Sequence, residues 1–233
     1  MSTYFISDIH LGNDTDANSN LLLEFLHTKG PTADAIYILG DLFAMWLGDD
    51  TKARYSDDLI AALKSLSSQQ VPLYFMRGNR DFLVGKKFCQ ATGCKLLPDP
   101  CTISLYNDTV LLTHGDLLCT KDRNYQKFRR TVQNPLIKAV FLALPLGFRK
   151  KLGTFVKVKT NTKSKNLDIY DAVQDTVDQW FAKFNVTKMI HGHTHKAAVH
   201  NHNGNTRFVL GDWNVRGTKI LVCDTQNYEL RTL

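Results

Sequence analysis

Over the first 120 residues apolar positions come in short runs. Thr3–Ser7, Ala35–Leu39, Leu73–Met76, Ile103–Leu105 and Val110–Thr113 are rich in β-branched and aromatic side chains. Such runs are the pattern of buried strands. Between them, Ser19–Lys29, Ser56–Ser67 and Gly85–Thr92 read as helices, the first placing Leu22, Phe25 and Leu26 on one face. After residue 120 the pattern changes. Residues 122–160 are helical in character, with Pro135 and Pro145 as breaks. Asp168–Phe184 reads as an amphipathic helix with Ile169, Val173, Val177, Trp180 and Phe184 on one side, and strands resume at Lys188–Ile190, Arg207–Leu210 and Lys219–Cys223. The predicted organisation is one α/β sandwich over residues 1–121 and 166–233, interrupted by a helical insertion over 122–165.

Length and composition agree with one globular domain: 233 residues, 43% hydrophobic, excludes a disordered or collagen-like chain. The net charge of +7 is uneven. Residues 121–166 hold 13 Lys and Arg against one acid, Asp122, whereas the remainder holds 16 basic and 21 acidic residues. The insertion therefore makes the chain basic. Cys89, Cys94, Cys101, Cys119 and Cys223 are odd in number and form no C-x-x-C pair, which points to free thiols in a reducing compartment. The first residues lack a secretory n-region and read as a core strand. The most apolar run, Ala139–Phe148, is too short to span a bilayer and contains Pro145.

Chemistry gathers at the strand ends. Five predicted strands run into Asp8-Ile9-His10, Gly40-Asp41, Gly78-Asn79-Arg80-Asp81, His114-Gly115-Asp116 and His191-Gly192-His193-Thr194-His195. Ligand crevices in α/β sheets lie at carboxyl ends of strands. Taken alone, Asp8-Ile9-His10 reads as structural or accidental, and Gly40-Asp41 and Gly78–Asp81 read as turns; the three alternating histidines are a stronger signal, with one expected to face away or to support a ligand. Together they bring Asp8, His10, Asp41, Asn79, His114, His193 and His195 to one edge. Carboxylates, imidazoles and an amide oxygen without thiolate suit Mn²⁺, Fe²⁺ or Zn²⁺. Seven donors are too many for one tetrahedral ion and suit two ions sharing a carboxylate, the arrangement of in-line displacement at phosphorus.

In order and spacing these motifs resemble those of the calcineurin-like metallophosphoesterases: D-x-H, G-D, G-N-[H/R]-[D/E], H-G and G-H-x-H. The resemblance implies a four-layer α/β/β/α sandwich. It implies one metal on Asp8, His10, Asp41 and His195, and a second on Asp41 (bridging), Asn79, His114 and His193, with Asp41, Arg80 and His114 catalytic. No ligand position is lost, as it would be in a non-enzymatic scaffold on this fold. Many members carry His where this chain has Arg80. A guanidinium donates no proton near neutrality but clamps phosphate oxygens, which suits a good leaving group such as the phosphate of an anhydride.

Longer segments narrow the resemblance. Tyr37–Asp50 (with Trp46, Gly48, Asp49 and Asp50), Gly78–Lys86, His114–Arg129, Leu142–Leu146, Ile190–His200 and Val209–Trp213 resemble the branch that cleaves the pyrophosphate of UDP-2,3-diacylglucosamine in lipid A biosynthesis. The resemblance implies two Mn²⁺ per chain, a metal-activated water attacking the α-phosphorus, and work as a peripheral protein on the cytoplasmic face of the bacterial inner membrane. It implies substrate contacts from Asn79, Arg80, Asp122, Lys165 and His193. Thr162 falls where the branch has Asn, with Asn161 beside it. Asp122 reads equally as a helix N-cap.

The insertion pairs apolar residues (Leu136, Ile137, Val140, Phe141, Leu142, Phe148, Leu152 among them) with Arg149, Lys150, Lys151, Lys157, Lys159, Lys163 and Lys165. A basic amphipathic stretch suits a lipid-binding cap that meets a diphosphate and an anionic membrane, or simply a cap packed on the sandwich with its lysines in water. No aromatics interleave with the basic residues at stacking spacing, so no nucleic-acid partner is expected. The chain is expected to act as a monomer. The competing reading is a soluble phosphodiesterase or nucleotidase of the same superfamily.

Overall fold

A computed structural model describes residues 2–12, 17–50, 57–161, 169, 171–214 and 217–233, with side chains left out for 155–161. Two mixed sheets face each other. The first runs in the order β11 (Tyr228–Thr232), β10 (Lys219–Cys223), β1 (Ser2–Ile6), β2 (Ala33–Leu39), β3 (Leu73–Met76), β4 (Lys95–Leu97). The second runs β5 (Cys101–Leu105), β6 (Asp108–Thr113), β7 (Lys188–His191), β9 (Asn205–Val209), β8 (Ala198–His202). β1, β2, β3 and β4 are parallel, as are β6, β7 and β9; β5, β8, β10 and β11 join antiparallel.

Alternation along the strands sorts the core into layers. Phe5, Tyr37, Leu39 and Met76 meet Val110, Leu112, Ile190 and Phe208 between the sheets. The outer face of the first sheet, with Ile36, Ile38 and Phe75, packs under α1 (Ala17–Thr28), α2 (Asp57–Ser68) and α3 (Lys86–Thr92) through Leu22, Leu26, Leu63 and Phe88. The second sheet's outer face, with Leu111 and Met189, is covered by α7 (Gln174–Phe184) through Val177 and Phe181. This is the expected α/β/β/α sandwich.

The strands that the hydrophobic pattern does not predict are β4, β8 and β11, all at sheet edges. An edge strand needs no continuous apolar run. The predicted helix over Asp168–Phe184 is shorter: α7 begins at Gln174, because the Val173 N–H donates to Leu118 O and Asp171 turns out to pair with Lys196. Val173 is thus its N-cap, and Phe181 joins Val177 as the buried face.

Between β6 and α7 lie α4 (Arg123–Gln133), α5 (Pro135–Ala143) and α6 (Leu146–Asn161). Pro135 starts α5 at the position where a missing N–H costs nothing, and Pro145 separates α5 from α6. These helices expose Leu136, Val140 and Phe148, at 76%, 67% and 64%. No helix among the described residues is long and apolar enough to cross a membrane. The five cysteines are free thiols.

Candidate metal centre

The seven predicted donors converge where the carboxyl ends of β1, β2, β3, β6 and β7 meet. Asp8 and His10 follow β1, Asp41 follows β2, Asn79 follows β3, His114 follows β6, and His193 and His195 follow β7. Asp8, His10, Asp41, His193 and His195 all adopt left-handed φ values, between 53° and 68°. That conformation is costly for a residue with a side chain and persists where surroundings over-determine it, which is typical of functional loops. The surroundings are visible. Asp81, fully buried, accepts the N–H groups of Gly78 (2.7 Å), Leu42 (2.8 Å) and Asp41 (3.3 Å), tying the β2 and β3 loops together. A Cβ on Gly78 would strike Asp41 Oδ1, so only glycine lets these loops touch.

Two groups of donors form. The ligating atoms of Asp8, His10 and His195 lie within 4.8 Å of one another, as do those of Asp8, Asp41 and His114. His10 Nε2 is 3.2 Å from His195 Nε2. Asp41 offers one oxygen to each side: Oδ2 is 3.9 Å from His10 Nδ1 and Oδ1 is 3.7 Å from His114 Nε2. Asn79 Oδ1 stands 3.0 Å from both His114 Nε2 and His193 Nδ1. Asp8 Oδ1 is buried with no well-formed hydrogen bond among the described residues, its neighbour being His195 Nε2 at 3.4 Å, while Oδ2 accepts from Ser7 Oγ (2.6 Å) and His193 N (2.8 Å). An orphaned buried carboxylate oxygen is expensive unless a cation meets it. The donor set fits divalent ions.

The cluster is electrostatically strained in the absence of a cation. Burial pushes the Asp41 carboxyl up to about 7, helped by Asp81 and Asp8 and opposed by His114. Burial would lower His114, but Asp41, Asp8 and Asp116 outweigh it and lift the imidazole to about 9. Burial would raise Asp8, yet the imidazoles of His195, 3.4 Å away, and His114 hold it far below the carboxylate range. Burial lowers His10 and His193 to about 4, so both stay neutral and able to ligate. Perturbations this dense mark a functional site.

A cavity of about 270 Å³ opens beside the donors. Asn79 and Arg80 are among its lining, and Trp46, Leu47, Phe82 and Leu83 form the sandwich wall. Phe128 and Val132 of α4, Ile137 and Phe141 of α5, and Leu152 of α6 form the other. Arg80 thus belongs to the cavity and to the donor cluster, where its backbone N–H donates to Asp41 Oδ1 at 2.8 Å.

A profile of the calcineurin-like phosphoesterases matches residues 1–197. Beyond it, the chain is 43% identical to a UDP-2,3-diacylglucosamine hydrolase of Stenotrophomonas maltophilia, over all of this chain and 99% of that one. It is 45% identical to the hydrolase of that name from Serratia proteamaculans, over 95% of each, and 41% identical to that from Vibrio parahaemolyticus, over 99% and 98%. The chain belongs to the UDP-2,3-diacylglucosamine hydrolase family of calcineurin-like phosphoesterases. The resemblance drawn from its motifs is borne out at both levels. Solved structures show the fold alone. An archaeal phosphodiesterase aligns at a TM-score of 0.52 with 12% identity over the whole of both chains. Vacuolar protein sorting 29 of Cryptosporidium parvum aligns at 0.50 with 14% identity, over all of this chain and 97% of that one.

Set in this family's fold, the remaining predicted residues sort as follows. His191 is the histidine that faces away: Nδ1 lies 2.8 Å from Gly192 O and Nε2 3.1 Å from Arg207. Asp122 caps α4, its Oδ1 accepting from Tyr125 N at 2.9 Å. Thr162 and Lys165 lie outside the described residues. Arg149, counted among the cationic residues open to substrate or membrane, is buried at 2% exposure and held by Asp50. Sequence reasoning missed the supports: Asp81, read as part of a turn; Asp212, 3.8 Å from His195; and Tyr125, stacked on His193. It also missed Arg129, which joins Asp116 (2.6 Å) to Asp99 (2.9 Å), while Asp99 accepts from Thr113 Oγ1 and His114 N. The fourth residue of G-N-R-D was the available signal for Asp81.

Proposed function

We propose that this chain cleaves the pyrophosphate bond of UDP-2,3-diacylglucosamine, releasing UMP and 2,3-diacylglucosamine 1-phosphate (lipid X) by attack of water on the α-phosphorus. One observation carries the reading: an apolar cavity, walled by sandwich and helices, is also lined by Asn79, which touches His114 and His193 of the donor cluster, and by Arg80. A lipid with a diphosphate head needs that junction of grease and charge. The curated relatives bear the name of this reaction.

Asp8, His10, Asp41 and His195 would hold one Mn²⁺, and Asp41, Asn79, His114 and His193 a second. Ions held there supply a hydroxide at neutral pH and offset charge on phosphorus-bound oxygens. Arg80 clamps a diphosphate oxygen from the cavity side. The leaving group is itself a phosphate monoester and departs without a proton from Arg80. His193, Asn79 and Asp122 contact the substrate head; Thr162 and Lys165 are the further contacts that the family resemblance implies.

Residues 122–165 act as the cap. Phe128, Val132, Ile137 and Phe141 repeat at i, i+4 on the cavity faces of α4 and α5 and would receive acyl chain. Leu136 and Val140 repeat at i, i+4 on the neighbouring stripe of α5, about 100° round the helix from Ile137 and Phe141, and are exposed, as is Phe148 beside exposed Lys150 and Lys151. That face would rest on the anionic cytoplasmic surface of the inner membrane, where each nearby lysine contributes about 1 kcal/mol.

The test is product analysis with full-length protein, Mn²⁺ and detergent-dispersed UDP-2,3-diacylglucosamine. UMP and lipid X are expected, with ¹⁸O from labelled water in UMP. No UMP from active, metal-loaded protein overturns the reading. Equal turnover of a nucleotide lacking acyl chains supports the soluble phosphodiesterase instead.

A further inference from the structure

The segment Met45–Asp50 is built to seat α6. Arg149 enters it from above: Nε donates to Leu144 O (3.0 Å), Nη1 to Leu47 O (2.6 Å) and Asp50 Oδ1 (2.8 Å), and Nη2 to Asp50 Oδ2. Three of the four bonds cross or close the junction, and the guanidinium is out of solvent while the Asp50 side chain is 52% exposed. Room for this is made by glycine. Gly48 sits at φ +130°, and a Cβ there would come 2.5 Å from Arg149 Nη1 and 2.9 Å from Leu142 Cδ2. One helical turn beyond Arg149, on the same face of α6, a Cβ on Gly153 would come 2.7 Å from Met45 Sδ and 2.9 Å from Leu47 Cδ2.

The seat leads directly to the cavity and to Arg80. Met45, Trp46 and Leu47 on one side and Leu152 and Gly153 on the other line the cavity. Trp46 N donates to Arg80 O at 3.0 Å, so the segment also backs the loop that carries Arg80. A displacement of α6 on this seat changes the bore between Leu47 and Leu152. It leaves the donor cluster, built from strand ends of the sandwich, in place.

We propose that the Asp50–Arg149 ion pair is a positioning element for the acyl part of the substrate: it sets how closely α6 lies on Met45–Asp50 and thereby how tightly the cavity grips chain. The proposal rests on the reading that the cavity takes acyl chain. Arg149 touches no reacting atom. Its planar fork is what the site uses, since one donor group must reach both Asp50 oxygens and Leu47 O together, which a lysine ammonium cannot match. Contact with one methylene in an apolar pocket is worth about tenfold or more in selectivity, so a small shift of α6 is measurable.

The experiment compares full-length, Mn²⁺-loaded wild type with Asp50→Asn, Arg149→Lys and the double variant. Two substrates are used, detergent-dispersed UDP-2,3-diacylglucosamine and bis(p-nitrophenyl) phosphate, which has no acyl chain. In each single variant KM for the lipid is expected to rise about tenfold. Its kcat and all diester kinetics should stay within about twofold of wild type. The double variant is expected to match the singles, because both members of one pair are already uncoupled. A flattened preference between shorter and longer acyl chains should accompany the KM change. A parallel fall on both substrates overturns the proposal in favour of a merely structural role, and an unchanged lipid KM overturns it outright. A wild type that cleaves the diester but releases no UMP from the lipid overturns the functional reading, and this proposal with it. A lipid-active wild type with variants of unchanged KM overturns this proposal alone.

Discussion

His10 and His195, 185 residues apart in the chain, bring their Nε2 atoms to 3.2 Å. Two ligands of one ion with bonds of about 2.1 Å stand about 3.0 Å apart at a right angle and about 3.4 Å apart at the tetrahedral angle. The observed spacing falls between them. Exhaustive chelation is therefore expected to abolish turnover, and Mn²⁺ to restore it. His10→Ala should lower the metal content found by elemental analysis, while Asp41→Ala, which removes the oxygens that face His10 and His114, should lose metal and activity together. Full turnover by demonstrably metal-free protein would defeat this account.

Arg80 acts through two different parts. Its backbone N–H holds Asp41 Oδ1 at 2.8 Å, and its side chain lines the cavity. Truncating the side chain leaves the backbone bond. Arg80→Ala should therefore keep its metal while kcat falls by about 10²–10³-fold, the usual cost of one preorganised oxyanion donor. Arg80→Lys should recover only part, for want of the fork. A variant that loses metal and activity together would place the side chain in the metal site instead.

The catalytic edge was legible because two constraints coincide there. Strands buried on both faces spell continuous apolar runs, and their carboxyl ends then switch abruptly to Asp, Asn or His. Edge strands such as β8, Ala-Val-His-Asn-His, obey neither rule. Charged residues with structural partners were not legible either. Arg149 lies 99 positions from Asp50, and nothing local distinguishes it from exposed Lys150. Nor does sequence announce that five non-glycine residues of the site are left-handed, since only tertiary contacts such as those of Asp81 hold them there.

Arg129 joins two buried carboxylates, Asp116 and Asp99, and the second of these holds Thr113 and the backbone of His114. Removing the cation leaves both acids uncompensated. Arg129→Ala is expected to cost about 3–5 kcal/mol in urea unfolding. Adding Asp99→Asn should return part of that loss by removing one unpaired charge. A loss under about 1 kcal/mol, the level of a surface pair, would show that water reaches the network.

The exposed face of α5 and α6 offers a direct measurement. Replacing Leu136, Val140 and Phe148 together by serine removes apolar side chains that are already in water. Folding stability should change little, whereas binding to vesicles containing anionic lipid should weaken by well over about tenfold, given roughly 1.5–3 kcal/mol for each large apolar side chain fully buried. Binding equal to wild type would move the membrane contact elsewhere.

Lys138 supplies a pH signature for the cap. Burial among cavity residues, with Arg77 and Arg129 adding positive charge, lowers its ammonium from 10.5 to about 8. Nζ is held by Gln133 Oε1 at 2.5 Å and lies 5.6 Å from the centre of the Phe82 ring. Between these two values the folded chain has released a proton that the unfolded chain still binds. Stability then rises with pH across that window. Below about pH 8 both states hold the proton, and the cost of burying the charge is constant. Lys138→Met removes the titration, so the melting temperature of the variant minus that of wild type should be most positive near pH 7.5 and shrink steadily towards pH 10. The loss of the Gln133 bond shifts all points equally and leaves the slope as the readout. A difference that stays flat from pH 7.5 to 10 would mean that the Lys138 ammonium reaches solvent beside the cavity.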